Sequence, residues 1–256
     1  MALSFSTRAI VLRTRPLGEK DRIMTLLSPE YGRISAVAKG SRSPKSKQAA
    51  IAQPFVLARF LIAPGRSLHI STQSQAENAH THITDDLMRT AWASYICELC
   101  DALPEDQPDV DVFELLETTL GLLDEPEATP QQLEIAGHWF CARFLNILGY
   151  TPTIGRCVVS GEKIVVPPDD DAAKIAFSPA LGGTLCTKEI ARDANRLSVS
   201  AGALRALHVL GTRDAPTEIS NSARRELREV LRRQLVLHLD TKLKSQKFLD
   251  EILALG

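Results

Sequence analysis

The hydrophobic period of the chain changes from strand-like to helical near residue 80, and that change limits the folds open to it. Up to Gln75 the apolar residues recur every second position in short runs. FSTRAIVLRTR alternates apolar and polar side chains, as a half-buried strand does. RIMTLLS and RISAVAK flank SPEYGR, whose Pro-Glu and Tyr-Gly mark a hairpin loop. PFVLARFLIA is a fourth apolar run, APGRS a turn and SLHISTQSQ a fifth strand. Five short strands in about 75 residues, with one longer connection, suit a small closed barrel of the OB-fold type. SH3-like barrels of this size carry a similar pattern.

Beyond THITDD the spacing becomes helical. Thr84 or Asp85 can cap a helix running toward Leu103, which LPEDQPD ends. VFELLETTLGLL resumes the helical period, DEPEATPQQ breaks it, and LEIAGHWFCARFLNILGY follows with Ile135, Trp139, Phe140 and Leu148 on an apolar stripe. Residues 150–190 lose that period and hold several Gly and Pro. Helical spacing returns at about Ser200, breaks at TRDAP and runs from Ser220 to Leu255. The expected architecture is α+β and multidomain. A basic barrel spans 1–80 and an all-α helical domain spans 81–256, with an irregular insert at about 150–195.

The net charge of -1 conceals a split. Residues 1–80 hold 12 Lys and Arg against 4 Asp and Glu, a net of +8. The remainder holds 18 against 27, a net of −9. Such segregation points to a polyanion as the partner of the first part. The basic residues concentrate in VAKGSRSPKSKQAAIAQPF, where Gly40, Ser41, Ser43, Pro44 and Ser46 suggest a mobile loop carrying Lys39, Arg42, Lys45 and Lys47. Arg13, Arg15 and Arg33 lie on or beside strands and extend the candidate DNA-binding set, and Arg59 and Arg66 add further charge. Long cations on pliable backbone can track phosphates without reading bases. Phe5, Tyr31, Phe55 and Phe60 are the only aromatic residues nearby, and the last two fit a core, so little base stacking is expected.

No apolar run approaches the ~20 residues of a membrane span. MALSFSTRAIVLRTR lacks the layout of a signal peptide, and five cysteines at irregular spacing do not form a disulfide framework. The expected location is the cytoplasm, in association with the nucleoid. Cys97 and Cys100 fall one helical turn apart among apolar residues, and Cys141 sits in an apolar helix, which suits buried thiols. His80, His82, Asp85 and Asp86 suit a capped junction better than a metal centre. No Walker loop, GxSxG elbow, HExxH or dinucleotide motif is present, so neither an enzyme nor a cofactor is expected. ARRELREVLRR places Arg224, Arg228 and Arg232 on one helical face, with Glu226 and Glu229 able to pair with them on a solvated surface.

EKDRIMTLLSPEYGRISAVAKGSR, then QPF, LNILGYTP, RCVVSGE, GGTLC and a terminal LKSQKFLDEIL occur in an order that resembles the RecO family of bacterial recombination mediators. The resemblance spans nearly the whole chain. It implies an OB-fold, a helical bundle, and an insert that in some members binds zinc through two CxxC pairs. Here Cys157 and Cys186 keep the first position of each pair, while Ser160 and Glu189 replace the second. The insert is thus expected to be a degenerate, metal-free zinc ribbon. The resemblance also implies binding of single- and double-stranded DNA, strand annealing, action with RecR, and contact with the acidic C-terminal tail of the single-stranded-DNA-binding protein to help load RecA. The competing classes are a protein-interaction module whose basic barrel docks an acidic partner, and a metal-dependent enzyme built on HTHITDD.

Overall fold

The computed structural model describes residues 3–43, 46–65, 68–105, 107–239 and 243–255. Two compact units emerge: Met1–Leu133 together with Leu243–Gly256, and Glu134–Lys242.

The first unit begins with β1 (Phe5–Leu17), β2 (Asp21–Ser28), β3 (Gly32–Ala38), β4 (Leu57–Ala63) and β5 (His69–Asn78), closed in the order β1-β2-β3-β5-β4. Closure requires β1 to serve two neighbours. Phe5–Ile10 pairs with β4, Ile10–Leu17 pairs with β2, and the register shifts between Val11 and Arg13. A bulge there bends the strand from one partner to the other. β3 and β5 meet in parallel, Ala36–Ala38 against His69–Ser71. Val11, Met24, Leu26, Ile34, Phe60 and Ile62 fill the interior, and Ala9, Ala36, Ala38 and Ala58 leave room for the Phe60 ring.

The long basic connection is not wholly a loop. Ser46 accepts a hydrogen bond from the Gln48 amide and caps α1 (Lys47–Ile51). Ile51 and Ala52 join the barrel core. Alternating strand pattern cannot reveal a single helical turn of this kind, because one turn is shorter than a helical period can register.

β2 is buried on both faces, since Ile23, Thr25 and Leu27 are as hidden as Met24 and Leu26. The helical segment that follows the barrel covers this outer side. Gly32, at φ 65°, lies so near the Gln107 backbone that a Cβ would fall 2.4 Å from its carbonyl oxygen, so only glycine fits. That segment holds α2 (Thr81–Asp85), α3 (Leu87–Asp101) and α4 (Val110–Asp124). Asp86, rather than Thr84 or Asp85, caps α3 by accepting from the Arg89 amide at 2.9 Å, because a separate short helix occupies 81–85. Buried Arg89 is satisfied by the carbonyls of Leu123, Glu125, Pro126 and Ala128, which anchors α3 to the end of α4. A buried cation is tolerable only when so paired.

α5 (Pro130–Ile147) leads into the second unit, which also contains α6 (Ala201–Thr212) and α7 (Asn221–Leu239). Its irregular stretch holds a three-stranded sheet, β7 (Gly183–Leu185), β6 (Lys174–Ser178) and β8 (Leu197–Ser200) in that order, with a 3₁₀ helix over Thr187–Arg192. The helical run expected from Ser220 to Leu255 is two helices. α7 stops at Leu239 and α8 (Ser245–Leu253) packs on α3 in the first unit. Glu98 of α3 accepts from the amides of Lys244 and Ser245 and from the Ser245 hydroxyl, so a side chain of one helix caps another.

Candidate nucleic-acid interface

The basic residues of the barrel fall into two groups according to which carboxylates the fold brings to them. One group gathers where β1 ends, β2 begins and β3 ends. The β1–β2 turn passes through Gly18 at φ 58°, and the strand after β3 leaves through Gly40 at φ 66°. The two segments are stitched together. The Arg42 amide donates to the Lys20 carbonyl at 2.9 Å, and the Gly40 amide donates to Asp21 Oδ1 at 2.8 Å. The Arg42 guanidinium also donates to the Gly18 carbonyl. Arg15, Lys20, Lys39 and Arg42 are all exposed here. None of the four pairs with a carboxylate among the described residues. Arg22, half-buried, donates to the Ala52 carbonyl beside them.

The second group lies under or beside the helical segment and is neutralised there. Arg13 Nε meets Asp101 at 2.5 Å, and Arg33 meets Asp101 at 3.2 Å, Glu105 at 3.4 Å and the Leu103 carbonyl at 3.0 Å. Arg8 joins Glu77 at 2.7 Å and Glu117 at 2.5 Å, and Arg59 also reaches Glu77. The hydrogen bonds that Arg8 donates to Glu117 and Glu77 raise its pKa against the opposing effect of burial. Carboxylates of the helical segment, with Glu77 of β5, thus occupy the cations on one side of the barrel, while the four at the turn end have no carboxylate partner among the described residues.

Of the residues singled out in the sequence, Arg15, Lys39 and Arg42 come together on that end. Arg13 and Arg33 are held in ion pairs. Lys45 lies outside the described residues, as does the side chain of Lys47. Lys20 and Arg22 also stand at this end, a placement that depends on the β1–β2–β3 register: Pro16 pairs with Arg22, and Arg22 with Ala38. Phe55 and Phe60 are buried. The rings of Phe5 and Tyr31 meet with centroids 4.1 Å apart and a 32° tilt at the opposite end of β2.

Two family models cover the chain, Recombination protein O N terminal over residues 1–81 and Recombination protein O C terminal over residues 84–247. A DNA repair protein RecO of Pelotomaculum thermopropionicum is 35% identical over 251 residues, covering 96% of this chain and 93% of its own. That of Symbiobacterium thermophilum is 34% identical over 257 residues, covering 98% of each chain. The chain belongs to the RecO family. It is therefore a member of a DNA repair and recombination family, and its closed barrel is the OB-fold of the RecO N-terminal domain. A RecO of Synechococcus elongatus is similar over almost the same extent, at 32% identity over 262 residues.

The other chemistry-bearing residues of this RecO-family chain have structural partners. His80 is buried, with Nδ1 2.7 Å from the Phe55 carbonyl. The His82 amide donates to Asp124. Cys97, Cys100 and Cys141 are buried, and burial pushes the Cys97 and Cys141 thiols up. Among the described residues, no group of three or more His, Cys, Asp and Glu is placed to hold a metal ion. No described helix is long and apolar enough to cross a membrane.

In the second unit the arginines of α7 divide in the same way. Arg232 and Arg233 pair with Glu229 at 2.6 Å each. Arg224 and Arg228 instead turn inward to Glu134 of α5 at 2.8 Å each. The expected solvated face is thus half a buried network, because Glu134 is only 6% exposed. Beside Arg232 and Arg233 lies a groove of about 310 Å³, lined by Pro179, Ala180, Val236 and Leu237. Val236 and Leu237 stay about half exposed, an unusual state for aliphatic side chains in neighbouring positions.

Proposed function

We propose that this protein is a DNA-binding recombination mediator that holds single- and double-stranded DNA without reading sequence and anneals complementary strands. The observation that carries this reading is the sorting of barrel cations. A surface whose Arg15, Lys20, Lys39 and Arg42 have no carboxylate partner among the described residues attracts a polyanion. Each phosphate contact releases condensed counterions, which drives binding with little regard for base identity. Annealing then needs no acid, base or nucleophile. Two strands repel through their phosphates, and a cationic end that holds one of them lowers the repulsion met by the second.

The second unit supplies protein contacts in this reading. The partners follow from the family resemblance: RecR, RecA, and the acidic C-terminal tail of the single-stranded-DNA-binding protein. The groove suits such a tail, since Ala180, Val236 and Leu237 offer aliphatic surface and Arg232 and Arg233, shared with Glu229, also line it. Asp193 also lines it, so the acidic part of a peptide belongs on the arginine side.

Annealing of complementary oligonucleotides at low salt tests the proposal. The expected result is acceleration that fades as salt rises. A rate unchanged by the protein, together with tight binding of an acidic peptide to the barrel, would support the interaction-module reading instead.

A further inference from the structure

The insert brings two thiols into one small site. Cys157 lies in a turn whose ends are fixed: its amide donates to the Glu162 carbonyl at 2.8 Å, and the Gly161 amide returns to the Cys157 carbonyl at 2.8 Å. Cys186 follows β7. The two segments are hydrogen-bonded side by side, the Val158 amide to the Thr184 carbonyl at 2.9 Å and the Thr184 hydroxyl to the Arg156 carbonyl at 2.7 Å. Lys188 and Glu162 pair across them at 3.4 Å. Within this frame the Cys186 amide points at the Cys157 sulfur. Ser160 touches both thiols, donating to Cys157 and standing 3.7 Å from Cys186 Sγ. Cys157 is buried and Cys186 is partly exposed.

Burial alone opposes ionisation of Cys157. The Cys186 amide, the Ser160 hydroxyl and the amides of Ser160 and Val159 outweigh it and bring the thiol down to about 6. These donors favour the thiolate, the form that attacks oxidised sulfur.

We propose that Cys157 and Cys186 close into a reversible disulfide when the protein meets a peroxide, making the insert a redox-sensitive latch. The partly exposed Cys186 sulfur attacks the peroxide. The O–O bond breaks, Cys186 gives up two electrons and becomes a sulfenic acid, and one oxygen leaves as water or alcohol. The Cys157 thiolate then attacks that sulfur, the S–O bond breaks, and hydroxide departs to be protonated to water. Two thiols are oxidised by two electrons in total and one peroxide is reduced. The bridge joins two turns separated by 28 residues of chain, and reduction by a dithiol reopens it.

Cys97, Cys100 and Cys141 act as internal controls, because they are buried in α3 and α5. The test is treatment of the reduced protein with hydrogen peroxide, alkylation in denaturant, and peptide mapping by mass spectrometry. The expected result is a loss of two alkylatable thiols and a joined pair of peptides carrying Cys157 and Cys186, about 2 Da below the sum of the free peptides and separated again by dithiothreitol. In Cys186→Ser, Cys157 remains alkylatable after the same treatment. Conversion of Cys186 to sulfinic acid while Cys157 stays a free thiol would overturn the proposal, as would a bridge formed only between two copies of the chain. The measurement on the natural protein decides the matter even if a variant folds poorly.

Discussion

The Arg42 amide donates to the carbonyl of Lys20 at 2.9 Å, so two residues 22 apart in sequence share one end of the barrel. Their side chains project from segments fixed to each other by three hydrogen bonds, and Arg15 and Lys39 adjoin them. The cationic end is therefore built into the barrel's turns, and its geometry does not depend on a free loop.

Lys39 and Arg33 lie six residues apart on and just beyond the same strand, yet their substitution has different consequences. Lys39→Gln leaves thermal stability unchanged and lowers the log–log salt slope of single-strand binding by about 0.7. Arg33→Gln strips a partly buried partner from Asp101 and the Leu103 carbonyl, and destabilises the first unit by about 1–3 kcal/mol without changing the slope. Denaturant melts and binding isotherms on the two variants separate these effects.

Glu134 pairs with both Arg224 and Arg228, and it is nearly buried. Glu134→Ala leaves two guanidinium groups facing a vacated site and costs about 3–5 kcal/mol of stability. Chemical denaturation gives this number directly. A double substitution that also removes Arg224 should recover part of the loss.

His138 is buried beside Glu134, Arg224 and Arg228, and burial, reinforced by the two arginines, lowers its pKa from 6.5 to about 3. The folded protein therefore keeps it neutral while the unfolded chain protonates it. Its contribution is fully present above pH 6.5 and declines as pH falls toward 3, by at most about 1.4 kcal/mol per pH unit. Unfolding free energies measured from pH 7 to pH 4.5 should fall more steeply for the natural protein than for His138→Gln.

α8 covers α3 through Leu249 and Leu253, while Glu98 caps its first turn. Hydrogen bonds from Ser245 and the Lys244 amide outweigh burial and hold the Glu98 carboxyl below its usual value. Ending the chain after Leu239 exposes that apolar face. Lower thermal stability and increased binding of a hydrophobic dye are expected, and dye binding measured against the full chain checks it.

The five strands were legible because a half-buried barrel strand shows its alternation directly: β1, β2 and β3 begin or end within about two residues of the patterned runs. The pairing of Arg13 and Arg33 with Asp101 was hidden, because those carboxylates come from a helical segment some 70 to 90 positions away. Lys20 was hidden for the converse reason. A single lysine in a turn carries no pattern, and only the pairing of β2 with β3 brings it to Lys39 and Arg42. The single-turn α1 was missed because one turn is too short for a helical period to register, and the division between α7 and α8 because uninterrupted apolar spacing does not announce where a helix stops. The insert had too little periodicity to reveal three short strands, and the sequence did not show whether Cys157 and Cys186 are neighbours.

The most direct test of the account is the salt dependence of binding to a labelled single strand, followed by fluorescence anisotropy. The natural protein is compared with one carrying Arg15, Lys20, Lys39 and Arg42 changed to Gln. The account predicts weaker binding and a log–log slope shallower by about 3, the loss of four phosphate contacts. Coincident curves for the two proteins would contradict it and move the DNA contact away from this end of the barrel.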